Sequence, residues 1–150
     1  MKSTLRLSIA LWAMLILAGC GQKSLIFEQQ TYNLAGQDFV LDLAKTPKQS
    51  SQGLSNRVKL ESNQGMLFIY PEKQNLSFWM KEMNFDIDLV WLVDGKIMAY
   101  IENMPKPAPN TALKDLPLYT SPMPVNQVLE LPAGTVQRLK LEVGQQLLNK

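Results

Sequence analysis

Few residue types in this chain can do chemistry, and the missing types exclude several mechanisms. The 150 residues include no histidine and one cysteine. Histidine is the commonest general base and metal ligand, so Ser-His-Asp catalysis, Cys-His catalysis and zinc hydrolysis within one chain are excluded. One cysteine cannot form an internal disulfide or a cysteine-based zinc site. We therefore predict no metal and no cofactor, and we assign no catalytic residue.

The segment Phe78–Lys81 places an indole beside an ammonium group. On a strand, Phe78 and Met80 would point to one face and Trp79 and Lys81 to the other. An aromatic ring beside polar groups is typical of a surface that stacks on sugars or aromatic ligands. The alternative is that Trp79 packs within the fold and Lys81 extends along it to solvent.

Asp88 precedes the apolar residues 89–92, so we expect its side chain to be at least partly buried. A buried carboxylate must be paired or hydrogen-bonded. Arg57 and Lys81 are the candidate partners, and a guanidinium can grip a carboxylate through two hydrogen bonds. Asp88 is then either a structural ion-pair partner or a polar anchor in a ligand cleft.

Pairs of acids offer a third possibility, because glycoside hydrolysis uses two carboxyl groups about 5–10 Å apart. Asp88 could act with Glu82, Asp86 or Glu130. Adjacent acids are common on strands, however, and their spacing says nothing about a bound sugar. Glu130, flanked by two leucines, is expected to be solvated or paired on the outer face of a strand.

The N-terminus carries the pattern of an export signal. Lys2 and Arg6 precede an apolar run at 9–18, which is about half the length that a membrane-spanning helix needs. Small residues then precede Cys20, and this pattern resembles the bacterial lipobox. The resemblance implies cleavage before Cys20 and lipid attachment to its sulfur, and several acyl chains hold a protein firmly at a membrane.

The mature chain is therefore expected to be a soluble domain tethered outside the cytoplasm. Gly21 after the cysteine favours the outer membrane over the inner one in a host that has two. Removing residues 1–19 takes away two of the 15 basic side chains, so 13 remain to balance 13 acidic ones. A neutral mature chain gives no reason to expect a nucleic-acid partner.

Local patterns predict the elements that would position these side chains. Residues 39–44 and 136–141 alternate between apolar and polar types, and 65–70, 76–81, 87–93, 96–102 and 128–131 also favour strands. Thr46 and Gln49 form a capping box for a short helix, and Asp94-Gly95 indicates a hairpin.

Residues 104–124, the proline-rich segment, hold six of the nine prolines and predict a functional or partly disordered loop. Residues 36–150 are predicted to form one mainly β domain, a compact β-sandwich or barrel-like fold with one or two short helices. Residues 20–35 would be the lipidated N-terminus and tether.

A set of ordered segments matches a known pattern: Gly53-Leu54 with Arg57, Gly65–Phe68, Phe78–Lys81, Asp88 before an apolar strand, and Val128–Gly134. From about Phe39 to Gly144 the chain resembles the bacterial and archaeal family known as domain of unknown function 192. The resemblance implies a small, exported, mainly β domain with a sandwich-like fold and no established activity. Glu82-Met83 and Asp86 depart from the family's usual Asn-Thr and Pro, so its ligand preference would differ if they line a site.

We interpret the chain as a membrane-anchored protein that binds a small polar ligand, such as a saccharide, without transforming it. The predicted site combines Arg57, Trp79, Lys81 and Asp88, with the proline-rich segment as a lid. The first alternative is an envelope adaptor in which Trp91 and the same segment form an exposed apolar patch. The second is a hydrolase that uses carboxylates alone.

Overall fold

The computed structural model describes residues 25–150; the predicted signal segment and Cys20 lie outside them. The described chain contains short helices, a 3-10 turn at Leu113–Asp115 and strands of two to eleven residues. They follow the order β1 (Glu28–Leu34), β2 (Gln37–Ala44), α1 (Pro47–Gln52), β3 (Gln64–Gln74), β4 (Ser77–Phe78), β5 (Ile87–Val93), β6 (Lys96–Met104), β7 (Tyr119–Thr120), β8 (Val125–Pro132), α2 (Thr135–Leu139) and β9 (Leu147–Asn149).

Seven strands form one curled sheet in the order β6-β5-β8-β3-β2-β1-β9, which gives the domain a half-barrel shape. β2 and β3 are parallel, and the other neighbouring pairs are antiparallel. A bridge between Lys96 and Gln146 brings the start of β6 to the residues before β9. The mainly β, barrel-like prediction is confirmed. No helix in residues 25–150 has the length and apolarity to span a bilayer.

The two faces of the sheet carry separate hydrophobic clusters. On the first face, Leu43, Leu67 and Leu129 pack with residues of α2 and the loop after it. On the second face, Met66, Trp91 and their neighbours pack against Leu54 and apolar residues of the 76–85 segment. Because side chains alternate along a strand, each polar residue of the sheet belongs to one of these faces.

Two local predictions are confirmed in detail. The Thr46 side chain accepts a hydrogen bond from the Gln49 backbone N–H, and the Gln49 side chain accepts one from the Thr46 backbone N–H. Asp94 and Gly95 have φ angles of 50° and 81°. Positive φ at both positions is what a two-residue type I′ turn requires, so β5 and β6 are joined as a tight hairpin.

Four expectations about elements were wrong. β1 lies within the predicted tether, so the domain begins before residue 36. β3 continues through Pro71 to Gln74, beyond the strand expected at 65–70. The strand expected at 76–81 is limited to the two residues of β4. The strand expected at 136–141 is replaced over most of its length by the helix α2 (Thr135–Leu139).

Three of these differences have a cause that local sequence does not show. β1 is paired on both sides, with β2 and with β9, and these ladders compensate for its mixed composition. Pro71 sits where the pairing of β3 with β8 is irregular, so no regular ladder bond is lost at its nitrogen. The start of α2 donates two backbone N–H groups to the side chain of Asp88, 46 and 48 positions away.

Candidate functional site

Two acidic residues lie in one row across the second face. Asp42 on β2 is opposite Met66 on β3, and Met66 is opposite Glu130 on β8. Two strand spacings therefore separate the acids, which is about 10 Å between their backbones. Gly65 lets β3 lie close to β8 here, because a Cβ at this position would lie 2.7 Å from the Glu130 carbonyl oxygen.

Arg57 contacts this row by forming an ion pair with Asp42. Its Nη2 atom lies 2.5 Å from Asp42 Oδ2, and Gln29 donates to Asp42 Oδ1 at 2.8 Å. The guanidinium carbon of Arg57 also lies 5.6 Å from the centre of the Phe27 ring. The prediction that Arg57 would pair with Asp88 is therefore wrong.

Asp88 is fully buried on the first face, where it accepts three backbone N–H groups. Asn103 and Gly134 donate to Oδ1 at 2.8 and 3.1 Å, and Val136 donates to Oδ2 at 2.7 Å. These bonds tie the end of β6 and the start of α2 to β5. Asp88 is thus a structural carboxylate on the face opposite Trp79, and the structure does not bring it together with Trp79 and Lys81.

Glu130 is the unusual group of the second face. Its side chain is 6% exposed, and its buried Oε2 atom has no hydrogen-bond partner in residues 25–150. Burial raises the pKa of Glu130 from 4.5 to about 8, and the nearby charge of Arg57 opposes this only in part. The carboxyl group is therefore mostly neutral at pH 7, and the expectation of a solvated or paired outer-face residue was wrong.

A small cavity of about 40 Å³, which we call the inner cavity, includes Glu130 in its wall. Trp79 and Lys81 line the same cavity, so the structure brings these two predicted residues together. Ser55 Oγ donates to the Lys81 carbonyl at 2.8 Å and holds the segment that carries both. The complete lining is Ser50, Ser51, Gln52, Gly53, Leu54, Ser55, Phe68, Phe78, Trp79, Lys81, Met83 and Glu130.

A wider depression, which we call the outer groove, adjoins the inner cavity. It measures about 390 Å³ and is lined by Ser50, Ser51, Ser77, Trp79 and Leu118. The two share Ser50, Ser51 and Trp79. The Trp79 side chain is 45% exposed and Leu118 is 65% exposed, so both present apolar surface to solvent.

The proline-rich segment is fixed beside this groove by β7. Thr120 and Tyr119 pair with Ser77 and Phe78 of β4, directly before Trp79. Another part of the segment lines a separate cavity of about 400 Å³, together with Asn56, Glu82 and other residues of the 82–84 turn. The segment therefore forms walls of two depressions, and Leu118 is its contribution to the outer groove.

Trp91, which the adaptor hypothesis placed on an exposed patch, is 1% exposed. It packs edge-on against Phe78 at 5.7 Å between ring centres. That part of the adaptor hypothesis is wrong. In residues 25–150 no group of three or more acidic or cysteine side chains is placed to hold a metal ion.

Segments that carry the family resemblance meet around the inner cavity. Seven of its twelve lining residues come from them: Gly53, Leu54, Phe68, Phe78, Trp79, Lys81 and Glu130. The model of domain of unknown function 192, described as an uncharacterised ACR, matches residues 29–148. The chain belongs to the DUF192 family. No curated protein matches this chain.

Solved structures show the same DUF192-like fold. A putative transcription regulator from Sinorhizobium meliloti 1021 is 30% identical, with a TM-score of 0.74, over 84% of this chain and 97% of that one. A protein of unknown function from Novosphingobium aromaticivorans DSM 12444 is 23% identical, with a TM-score of 0.68, over 81% and 84% of the two chains.

Sequence reasoning missed Asp42, the serines of α1 and Leu118, and it misjudged Glu130. The signal for Glu130 was available, because a lone acid within the apolar run 128–131 of a central strand must be buried or bulged out. The parallel pairing of β2 with β3, which places Asp42 in the same row, has no comparable signal in the sequence.

Proposed function

We propose that this DUF192 protein is a lipid-anchored, extracytoplasmic binding domain for a small polar ligand, which it does not transform. One observation carries the binding site: a buried, unpartnered carboxyl group, Glu130, lines a cavity whose rim holds the exposed Trp79. Native proteins rarely leave a buried polar atom unsatisfied, so an unpartnered one in a cavity is a candidate ligand contact.

The chemistry of the lining indicates the kind of ligand. A neutral carboxyl group donates one hydrogen bond and accepts others. The indole of Trp79 offers a flat face for a ring, and the hydroxyls of Ser51 and Ser77 border the outer groove. A ring compound that carries hydroxyl or amide groups suits both parts.

Catalysis by paired carboxylates has less support. Asp42 shares the face of Glu130, but Arg57 and Gln29 both bind it. Glycoside hydrolysis needs a second carboxyl group that is free to act as base or nucleophile. A binding role therefore accounts better for the arrangement.

A thermal-shift screen of the purified protein against saccharides, nucleotides and small metabolites tests the binding site. A ligand at a hundred times its Kd adds about 2.7 kcal/mol, which raises Tm by several degrees. We expect at least one compound to give this shift, and Trp79→Ala to abolish it. Val143→Ala is the matched control, because Val143 is an exposed apolar residue away from the site. A shift that survives Trp79→Ala, or no shift with any compound, would contradict the proposal.

Membrane attachment is tested separately at Cys20, which lies outside the described residues. We expect Cys20→Ser to move the protein from the membrane fraction to the soluble fraction and to prevent incorporation of labelled palmitate. Continued sedimentation of the Cys20→Ser protein with membranes would refute lipid anchoring. The outcome is independent of the ligand screen.

An envelope adaptor is the second candidate. The observation in its favour is the exposed apolar surface on the proline-rich segment, where Leu113 is 54% and Leu118 is 65% exposed. If no compound in the screen binds, cross-linking in intact cells becomes the next experiment.

A further inference from the structure

We infer that the ligand is a neutral pyranose whose hydroxymethyl group enters the inner cavity and hydrogen-bonds Glu130, while its ring lies in the outer groove against Trp79. This inference rests on the proposed function and names the class of ligand.

The sizes of the inner cavity and the outer groove determine which part of the ligand each can hold. The inner cavity measures about 40 Å³ and the outer groove about 390 Å³. Since one water-sized group needs about 10–15 Å³ of such space, the inner cavity takes a substituent of about two or three non-hydrogen atoms. A ring must remain in the outer groove, whose volume is at the lower end of that of ordinary small-molecule sites.

The polarity of the inner cavity selects a hydroxyl group for that substituent. Glu130 lines the cavity with an unpartnered oxygen, and Phe68 and Phe78 contribute apolar surface beside it. Lys81 also lines the cavity, but its ammonium group already has a counter-ion, Glu82 Oε1, at 3.8 Å. A charged substituent would therefore lose its hydration in this space at a high free-energy cost. A hydroxyl group both donates and accepts hydrogen bonds, which matches a carboxyl group without carrying charge into the cavity.

The outer groove suits the ring of a sugar. The half-exposed indole of Trp79 provides a flat surface for the C–H face of a pyranose, and Leu118 adds apolar area. The side chains of Ser50, Ser51 and Ser77 border the same groove and can bond to ring hydroxyls. A pyranose is polar at its edge and apolar on its face, so it matches a groove lined by serine hydroxyls, an indole and a leucine.

Matched sugars test the inference on the full-length chain in detergent. The probes are methyl β-D-glucopyranoside, its 6-deoxy analogue and methyl β-D-xylopyranoside, together with the corresponding galactose-type series. The 6-deoxy sugar lacks the hydroxyl group and the xyloside lacks the whole hydroxymethyl group. Kd is read from the tryptophan fluorescence, and Trp79→Phe shows which part of the signal comes from residue 79.

In one of the two series we expect the parent sugar to bind at least tenfold more tightly than both of its truncated analogues. Glu130→Leu should remove this preference. If that variant does not fold, the comparison of sugars on the unmodified protein decides the question.

Other outcomes separate this inference from the proposed function. Equal binding of a parent sugar and its analogues would overturn the inference and leave the binding site standing. Binding of a different compound from the ligand screen, with none of the six sugars bound, would do the same. If neither the sugars nor any screened compound binds, both the inference and the proposed binding function fail.

Discussion

Replacing Glu130 with glutamine will stabilise the protein by a few kcal/mol at pH 8 and change its stability much less at pH 4. Glutamine keeps the size of the side chain and resembles the neutral acid, but it cannot ionise. The difference arises because burial raises the pKa of Glu130 from 4.5 to about 8.

The sign follows from counting protons. Between pH 4.5 and about 8, Glu130 is protonated in the folded protein and ionised in the unfolded chain. The folded state therefore binds more protons, and the free energy of unfolding falls by about 1.4 kcal/mol for each pH unit. The loss is absent below the unfolded pKa and complete above the folded one.

Urea denaturation of both proteins at several pH values measures this effect. The unfolding free energy of Glu130→Gln minus that of the unmodified protein should grow from pH 5 to pH 8 and then level off. Glu142→Gln serves as the control, because Glu142 is exposed and its carboxylate is hydrated in both states. A constant difference across this pH range would show that Glu130 ionises as it does in the unfolded chain.

Asp88→Ala is the second substitution with a large expected effect. It leaves three backbone N–H groups, those of Asn103, Gly134 and Val136, without their acceptor. Unmade hydrogen bonds of buried donors cost about 1–3 kcal/mol each, and we expect a total loss of about 3–5 kcal/mol. That is a large share of the stability of a typical domain.

Asp88→Asn should fall between alanine and the unmodified protein. Its amide oxygen can serve the two donors at Oδ1, while its NH₂ group faces the N–H of Val136. Asp86→Asn is the matched control, since Asp86 is exposed and accepts one N–H, from Lys106. Urea midpoints that are equal for Asp88→Ala and Asp86→Asn would contradict the structural role of Asp88.

The sequence predicts the parts of this fold that depend on neighbouring residues. The helix cap at Thr46 depends on the side chain of Gln49, three residues along the chain. The turn at Asp94-Gly95 depends on positive φ angles at two adjacent residues. The helix α2 was missed because a distant carboxylate, that of Asp88, binds its first turn. β1 was missed because its mixed composition does not favour a strand, and pairing with β2 and β9 stabilises it instead.

The residues of the candidate site also differ in how far the local sequence predicts them. Trp79 and Lys81 were placed on one side of a strand by simple alternation, and both line the inner cavity. Phe78 lines it too, because the strand ends at Phe78 and the alternation does not continue. Arg57 was assigned the wrong partner because the row that contains Asp42 exists only after β2, β3 and β8 have paired. Asp88 was grouped with Trp79 because the pattern of one strand does not reveal which other segments pack on each face of the curled sheet.

The position of β9 also bears on self-association. β9 pairs with β1, and Gln30 and Asn149, joined by a side-chain hydrogen bond, lie 119 positions apart. Without Leu147–Asn149, the backbone groups of Tyr32–Leu34 would form an open edge, and open edges are templates for pairing with a second chain. In the folded protein β9 covers this part of the β1 edge, and so it removes a site at which a second chain could pair edge to edge.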